Sequence, residues 1–337
     1  MRGSIVLLTI LIGLQAGCDQ QAGDEITIAQ LTAALSALVE GDAALDLGGL
    51  ADDGMFDDDY DQPQVWNKAL QDTIWPRMHR GVRWGRFITD RSIEVHLDLV
   101  GPDTVYATIS GTLTGFIRAG GWNFGPDSAI VITDTLTKPF QQTTTRRVRF
   151  VRVGSTGNLQ QDWRIGGLTA VLGTVGSKVS LEELRLSFSG DSATYSGDSA
   201  TYFRLNRDEL LDRFFDRENL PRFRGEVPVA MYVTVDNAGP VFPLGSGERV
   251  LIRHGRGLGR FSRALLNDLG LLNDVTALDN IFSGRWRPHP RPQQAHVFRL
   301  YVEVLDLASL LVPEEEFHSE FIGLPYLIAP DPQLPPF

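Results

Sequence analysis

Alternation of apolar and polar residues is the pattern that most limits how this chain can fold. It is clearest after Ser92, where nearly every second residue is apolar. The apolar positions are Ile93, Val95, Leu97, Leu99, Val105, Ala107, Ile109, Leu113 and Ile117. Because successive side chains of a β-strand point to opposite faces of the sheet, a period of two predicts long strands with one buried face. Two more strands are predicted over residues 145–153 and 161–175.

The C-terminal half repeats this pattern. Its alternating apolar positions are Val227, Val229, Met231, Val233, Val235, Phe298, Leu300, Val302 and Val304. Short strands separated by Gly, Pro and Asn turns favour a β-sandwich, which we place at residues 223–330. A proline-rich tail follows at residues 331–337, and its prolines are incompatible with a regular strand.

The segment before the first strand is helical in character. Thr27 and Gln30 form a capping-box pattern, and apolar residues then recur at spacings of three and four. These residues are Ile28, Leu31, Leu35 and Leu38. The spacing predicts an amphipathic helix that ends near Gly41, and a second helix is predicted from Gln64 to Trp75, stopped by Pro76.

Helices followed by a long-stranded antiparallel sheet ending in "QDWRIGGLTAV" resemble the NTF2-like fold over residues 26–176. The resemblance implies an α+β domain whose curved sheet encloses helices and a pocket. The residues that would line this pocket are Trp84, His96, Asp98, Tyr106 and Trp163. His96 and Asp98 share one face of a strand and would be the acid–base pair of an enzyme. The alternatives are that the aromatic residues are ordinary core and that His96 and Asp98 are exposed positions of an alternating strand.

The two halves are joined by residues 177–222. The seven residues from Ser189 to Tyr195, "SGDSATY", recur immediately as Ser196 to Tyr202. A perfect duplication is tolerated where an insertion disturbs little packing, which indicates a solvated linker. A helix capped by Asn206 and Glu209 is predicted after it.

The segment Leu265–Gly284, "LLNDLGLLNDVTALDNIFSG", resembles the "DG...GD..A.DGIYTG" segment of Ig-like sandwich modules in secreted bacterial proteins. The matching residues are Asp268, Gly270, Asp274, Ala277, Asp279, Ile281, Phe282 and Gly284. The two resemblances together predict an α+β, NTF2-like domain followed by an all-β, Ig-like sandwich.

The same segment is the best metal candidate in the sequence. Asp268, Asn273, Asp274 and Asp279 would supply oxygen ligands to calcium, the one cofactor that the sequence suggests. The alternative is that these side chains cap turns through hydrogen bonds to the backbone. The acidic stretch Leu50–Gln62 lacks the EF-hand spacing and is better explained as a solvated loop.

The N-terminus has the three parts of a secretory signal. Met1 and Arg2 are followed by the apolar run Ile5–Leu14, the small pair Ala16–Gly17 and Cys18, the only cysteine in the chain. This arrangement resembles the lipobox of bacterial lipoproteins, although Gln15 stands where that family usually has Leu. The resemblance implies a signal peptide over residues 1–17, lipid attachment at Cys18 and a polar spacer over residues 18–25. The alternative is a plain secretory signal with a chance cysteine.

Charge and motifs limit the function. A formal net charge of -11 argues against nucleic acid as a partner, and the sequence has no nucleophile elbow, zinc-binding helix or phosphate-binding loop. We therefore predict a lipid-anchored, extracytoplasmic, non-enzymatic binding or assembly module of the bacterial envelope. Its expected partners are the membrane, through the acyl anchor, and an envelope protein. The alternative is an envelope enzyme or small-ligand carrier that uses the NTF2-like pocket.

Overall fold

The fold is known from a computed structural model. It describes residues 27–41, 81–125, 130–188, 201–216, 220–223, 225, 227–239, 247–256, 260–270, 274–288 and 296–328. Cys18, the acidic stretch 50–62, the helix predicted over residues 64–75 and Asn273 lie outside the described residues. Among the described residues, no helix has both the length and the apolar character needed to cross a lipid bilayer.

The described chain is built mainly from strands. The helices are α1 (Ile28–Gly41), α2 (Leu159–Asp162) and α3 (Leu307–Leu311). The first seven strands are β1 (Gly81–Gly101), β2 (Thr104–Phe124), β3 (Ile130–Arg152), β4 (Trp163–Leu168), β5 (Val171–Val175), β6 (Val179–Phe188) and β7 (Thr201–Asn206). The other seven are β8 (Arg222–Phe223), β9 (Val229–Asn237), β10 (Glu248–Arg256), β11 (Arg260–Leu266), β12 (Ile281–Trp286), β13 (His296–Asp306) and β14 (Ser319–Ile328).

Two sheets contain all of these strands. The larger sheet has the order β1-β2-β3-β5-β14-β13-β10-β11, with β4 paired to β3 and β8 paired to β14. The smaller sheet has the order β12-β9-β6-β7. Strands from both halves of the chain join where β5 pairs with β14, from Val175 opposite Ser319 to Val171 opposite Gly323.

The predicted fold class is wrong. The structure has no NTF2-like α+β domain followed by a separate Ig-like sandwich, because the N-terminal strands continue directly into β14, β13, β10 and β11. An NTF2-like cone needs several helices against its sheet, whereas α1 and the four-residue α2 are the described helices of that region. The coarser description that holds is a β-rich protein with two sheets packed face to face.

One core lies between the two sheets. Strands β13 and β14 contribute alternate residues to it, including Leu300, Val302 and Leu324, and the smaller sheet contributes residues such as Leu184 and Val233. All five side chains are buried. The period of two predicted for residues 298–304 therefore does place one face of β13 in this core.

The opposite face of the larger sheet is buried as well. Helix α1 packs Leu35 and Val39 against Val105, Phe150 and Trp163 at one end of this face. At the other end, α3 and the segment after it pack against residues of β1, β2, β3, β5, β10 and β13. This second cluster contains Trp84, Ile117, Ala119, Phe140, Val175, Leu251, Leu305, Leu307, Leu310, Leu311 and Phe317.

A β-bulge in β1 changes which of its residues face this interior. Ile88 pairs with Gly115 and Asp90 pairs with Thr114, so β1 has one extra residue, Thr89, between these two pairs. Before the bulge, Trp84 and Arg86 are fully buried. After it, the inward positions are odd-numbered, and Val95 and Leu97 pack beside α1.

The capping box of α1 is confirmed. The backbone N–H of Thr27 donates to the Gln30 side-chain oxygen at 2.9 Å, and the backbone N–H of Gln30 donates to the Thr27 hydroxyl at 3.2 Å. The described helix runs to Gly41, the residue near which the sequence predicts its end. The helix predicted after Asn206 is instead a single 3₁₀ turn, Arg207–Glu209, although Glu209 does accept a hydrogen bond from the Asn206 N–H at 3.4 Å.

Three buried charges connect distant parts of the larger sheet. Glu303 on β13 is paired with Arg86 on β1 and, at 2.9 Å, with Arg253 on β10. The Arg86 guanidinium lies 6.0 Å from the Phe140 ring centroid and 5.7 Å from that of Phe317. Since β1 and β13 are not neighbours in the strand order, the larger sheet must curve enough to bring them together.

Candidate functional site

The structure gathers three carboxylates in the loop between β11 and β12. One carboxylate oxygen from each of Asp268, Asp274 and Asp279 lies within 4.8 Å of the others. Asp268 and Asp274 are buried and Asp279 is exposed. These are three of the four residues that the sequence predicts as calcium ligands, and the fourth, Asn273, lies outside the described residues.

Backbone amides of the same loop donate to all three carboxylates. Asp268 accepts from the N–H groups of Asp279 and Asn280, at 3.2 and 3.0 Å. Asp274 accepts from the Gly270 N–H at 2.5 Å, and Asp279 accepts from the Ile281 N–H at 3.0 Å. The turn-capping alternative is therefore realised, since each carboxylate holds part of the loop backbone.

Capping also explains the unusual backbone of this loop. Leu278 and Asn280 have φ values of 60° and 63°, in the left-handed region that residues with a Cβ seldom adopt. The Leu278 N–H donates to the Asp268 carbonyl at 3.3 Å, and the Asn280 N–H donates to the Asp268 side chain. Asp268 therefore stabilises both residues in a conformation that they would otherwise avoid.

The electrostatics of the loop disfavour an uncompensated negative charge on Asp268. Burial raises the pKa of Asp268, hydrogen bonds from Asn280 and Asp279 lower it, and the nearby charges of Asp274 and Asp279 raise it again. The net pKa is above the ordinary value, so the ionised form of Asp268 is disfavoured where it lies. A divalent ion would relieve the repulsion among the three carboxylates. It would share oxygens that already accept backbone hydrogen bonds and need further oxygen ligands to reach the six to eight that calcium takes.

The five residues predicted to line one pocket do not come together as one group. Trp84 and Trp163 are both buried, but they belong to different apolar clusters at opposite ends of the larger sheet. Both pack as ordinary core residues, which is the alternative that the sequence left open. The bulge in β1 explains part of the error, because it reverses the inward and outward positions between Trp84 and His96.

The other three residues lie on the outward face of β1 and β2. The side chains of His96 and Asp98 are 50% and 57% exposed, and His96 Nε2 lies 3.4 Å from an Asp98 oxygen. Tyr106 is opposite Asp98 in the strand register and packs edge-to-face on Phe214 at 5.4 Å. His96 and Asp98 are therefore an exposed surface pair, as alternation along a strand produces.

Sequence reasoning missed a buried polar band inside the larger sheet. Gln142, Thr144 and Arg146 alternate along β3 and are each no more than 2% exposed. They lie on the strand between Phe140 and Val148, which belong to the two apolar clusters of this interior. Among the described residues, neither polar atom of the Gln142 side chain has a hydrogen-bond partner. The signal in the sequence was the alternation in "FQQTTTRRVRF", whose inward positions include polar residues.

The edge of the larger sheet that β1 forms is also exposed at the surface. β1 is the terminal strand in the order, and β2 is the one strand that pairs with it in the described part of the chain. Its C-terminal part is open to solvent, with Ile93 52%, Leu99 49% and Val100 67% exposed. An exposed edge carries unpaired N–H and C=O groups that can hydrogen-bond to another strand.

Comparison with known proteins identifies no relative. No protein-family model, curated protein or solved structure matches this chain.

We predict that calcium, if it binds the loop, raises the unfolding temperature of the protein. At a calcium concentration far above its dissociation constant the gain is about 2–4 °C, because the ion binds the folded loop and not the unfolded chain. Differential scanning calorimetry with calcium and then with excess chelator measures this shift, which must disappear on chelation.

Asp279→Asn is the informative variant, because the amide oxygen keeps the hydrogen bond from Ile281 but loses the charge. It abolishes the calcium shift, whereas Asp236→Asn, at an exposed position on β9, preserves it. The absence of a shift in the unmodified protein would dismiss calcium and leave turn-capping as the role of the three carboxylates.

Proposed function

We propose that this protein is a lipid-anchored, extracytoplasmic component of the bacterial envelope that acts as a non-enzymatic binding or assembly module. The anchor in this proposal is Cys18, supported by the signal-like residues before it. Several acyl chains on one residue make attachment effectively permanent, because each buried CH₂ contributes about 0.8 kcal/mol.

The observation that carries the binding role is the exposed edge of β1. Its 21 residues make it one of the longest of the described strands, and in their order it ends the larger sheet on one side. Proteins recognise extended segments by adding a strand to such an edge, a mode that depends on backbone hydrogen bonds and needs no catalytic side chain. A module anchored at its N-terminus would present this edge to other envelope components.

The contacts of the interior charges support the same proposal. Arg86 and Arg253 are each ion-paired with Glu303. The buried Lys138 ammonium donates to the backbone carbonyls of Ser309, Val312 and Glu315 behind α3. These groups therefore stabilise the fold and are already occupied by protein partners.

A second candidate function is carriage of a small polar ligand inside the larger sheet. Gln142 favours it, because its side chain is 1% exposed and its amide lacks a hydrogen-bond partner among the described residues. A buried amide without a partner costs about 1–3 kcal/mol, a cost that a bound ligand with a donor and an acceptor would remove.

Cellular fractionation tests the anchor. We expect the natural protein in the membrane fraction, with a mass that includes the acyl chains and excludes residues 1–17. Cys18→Ser should move it to the soluble fraction, and Gln15→Leu, which brings the segment closer to the lipobox pattern, should leave it on the membrane. An uncleaved leader in the natural protein, or membrane retention of Cys18→Ser, contradicts the proposal.

Native mass spectrometry separates the two candidate functions. A ligand carrier isolated from its source has an added mass that Gln142→Leu removes and that Gln141→Leu, at the exposed neighbouring position, retains. A binding module with no interior ligand has no added mass. In that case Gln142→Leu raises the free energy of unfolding by about 1–3 kcal/mol, because the unpaired amide is replaced by an apolar group of similar size.

A further inference from the structure

We propose that the exposed edge of β1 pairs with the same edge of a second copy of this chain. The two β1 strands would be antiparallel and related by a two-fold axis that passes beside Val95 of each copy. The larger sheets of the two copies would then form one continuous sheet. This inference rests on the proposed binding role of the β1 edge and names its partner.

The available backbone of β1 makes this pairing possible. From Asp90 to Gly101, one side of the strand is paired with β2 and, among the described strands, none lies on the other side. The side chains from Arg91 to Glu94 and from Asp98 to Val100 are exposed. An incoming strand would therefore meet little obstruction along this stretch.

The charges along β1 are compatible with a second copy in this register and disfavour two neighbouring registers. With the axis at Val95, Glu94 of one copy lies opposite His96 of the other, and Asp98 lies opposite Ser92. An axis at Glu94 would place Asp90 opposite Asp98, and an axis at His96 would place Glu94 opposite Asp98. Like charges directly opposite each other destabilise a strand pair, so both of these registers are disfavoured.

The apolar face of β1 favours the same register. With the axis at Val95, Ile93 lies opposite Leu97 on both sides of the axis and the two Val95 side chains are adjacent. The half-exposed Ile93 would thus gain a neighbour on the face where Val95 and Leu97 already pack near α1. Moving the axis to Leu97 would place Ile93 opposite Gly101 and lose this contact.

The size of the pairing predicts a weak dimer. The paired segment runs from Arg91 to Leu99, nine residues in each copy. This is fewer than the roughly 20–30 residues a side of a stable protein interface. Two chains held in one membrane meet at a much higher effective concentration than two free chains, so lipid anchoring would strengthen the dimer.

Changing the charges at positions 94 and 96, which lie opposite each other across the two-fold axis, tests the pairing in solution. The full chain is made soluble for this experiment by Cys18→Ser. His96→Glu places two pairs of like charges opposite each other and should raise the dimer dissociation constant about tenfold in sedimentation equilibrium. Glu94→Lys added to His96→Glu restores opposite charges and should return the constant to the starting value or below.

Thr108→Glu is the matched control. Thr108 is on β2, directly opposite His96 of β1, and its side chain is on the same outward face of the sheet. It lies one strand away from the edge. It should change the dissociation constant less than about twofold. A Thr108→Glu effect equal to that of His96→Glu, or failure of the double variant to recover dimerisation, would overturn the pairing.

Disulfide formation tests the register. Cys18→Ser leaves the chain without a thiol, so Val95→Cys introduces the only one. Oxidation should link Val95→Cys into a dimer, because the two positions meet at the axis. Leu99→Cys alone should remain unlinked, and Arg91→Cys combined with Leu99→Cys should link. Cross-linking of Leu99→Cys alone, without cross-linking of Val95→Cys, would overturn this register.

A chain that sediments as a monomer up to about 1 mM, without cross-linking at Val95, overturns self-pairing altogether. If that chain still fractionates with the membrane through Cys18, the anchored binding role stands and the partner of the edge is a different protein. Failure of the anchor together with a dimer in solution would instead overturn the proposed location and leave the pairing intact.

Discussion

The contact between the two halves of the chain is the constraint on which the rest of the structure depends. β5 pairs with β14, and this pairing places β13 and β10 beside them in one continuous sheet. Curvature of that sheet then brings Glu303 to Arg86, residues separated by 217 positions in the sequence. Burying an ion pair gives little net stability, but removing one member leaves charges buried without compensation. The ion cluster therefore makes the N-terminal strand β1 dependent on the C-terminal strands.

Local sequence patterns predicted individual strands and the start of the first helix, but not how the strands assemble into sheets. The period of two identified the strands that became β1, β2, β9 and β13, and the capping box identified the start of α1. The pairing of β5 with β14 leaves no local signal, because neither strand contains a residue pattern that specifies its neighbour. Alternation also suggested one buried face, whereas Tyr301 and Leu305 on the second face of β13 are as buried as Leu300 and Val302 on the first.

The candidate sites also divide into one that the local sequence predicts and others that depend on how the strands assemble. Three predicted calcium ligands are close together because Asp268, Asp274 and Asp279 belong to one short loop, and the loop geometry follows from their own hydrogen bonds. The predicted pocket required residues from three strands and an α+β fold, so one extra residue in β1 and the wrong fold class were enough to separate them. The polar band and the exposed edge depend on strand order, which only the structure supplies.

Together these features describe a protein whose interior charges maintain the fold and whose exposed backbone groups lie at a sheet edge. The loop carboxylates hold a turn, the exposed pair His96 and Asp98 lies on the outward face of β1, and one side of the β1 backbone has no partner among the described strands. The role of an envelope binding module fits this distribution, because strand addition uses the backbone that the fold leaves unpaired.

Amide hydrogen exchange of Glu303→Gln tests most directly whether the two halves form one cooperative unit. The variant removes the charge that Arg86 and Arg253 share, and loss of one member of such a buried cluster costs about 3–5 kcal/mol. We predict that the free energy of opening measured by exchange falls by the same amount in β1 and in β13. The variant should unfold in a single transition in denaturant. Faster exchange confined to the C-terminal strands, or two separate transitions, would contradict the account.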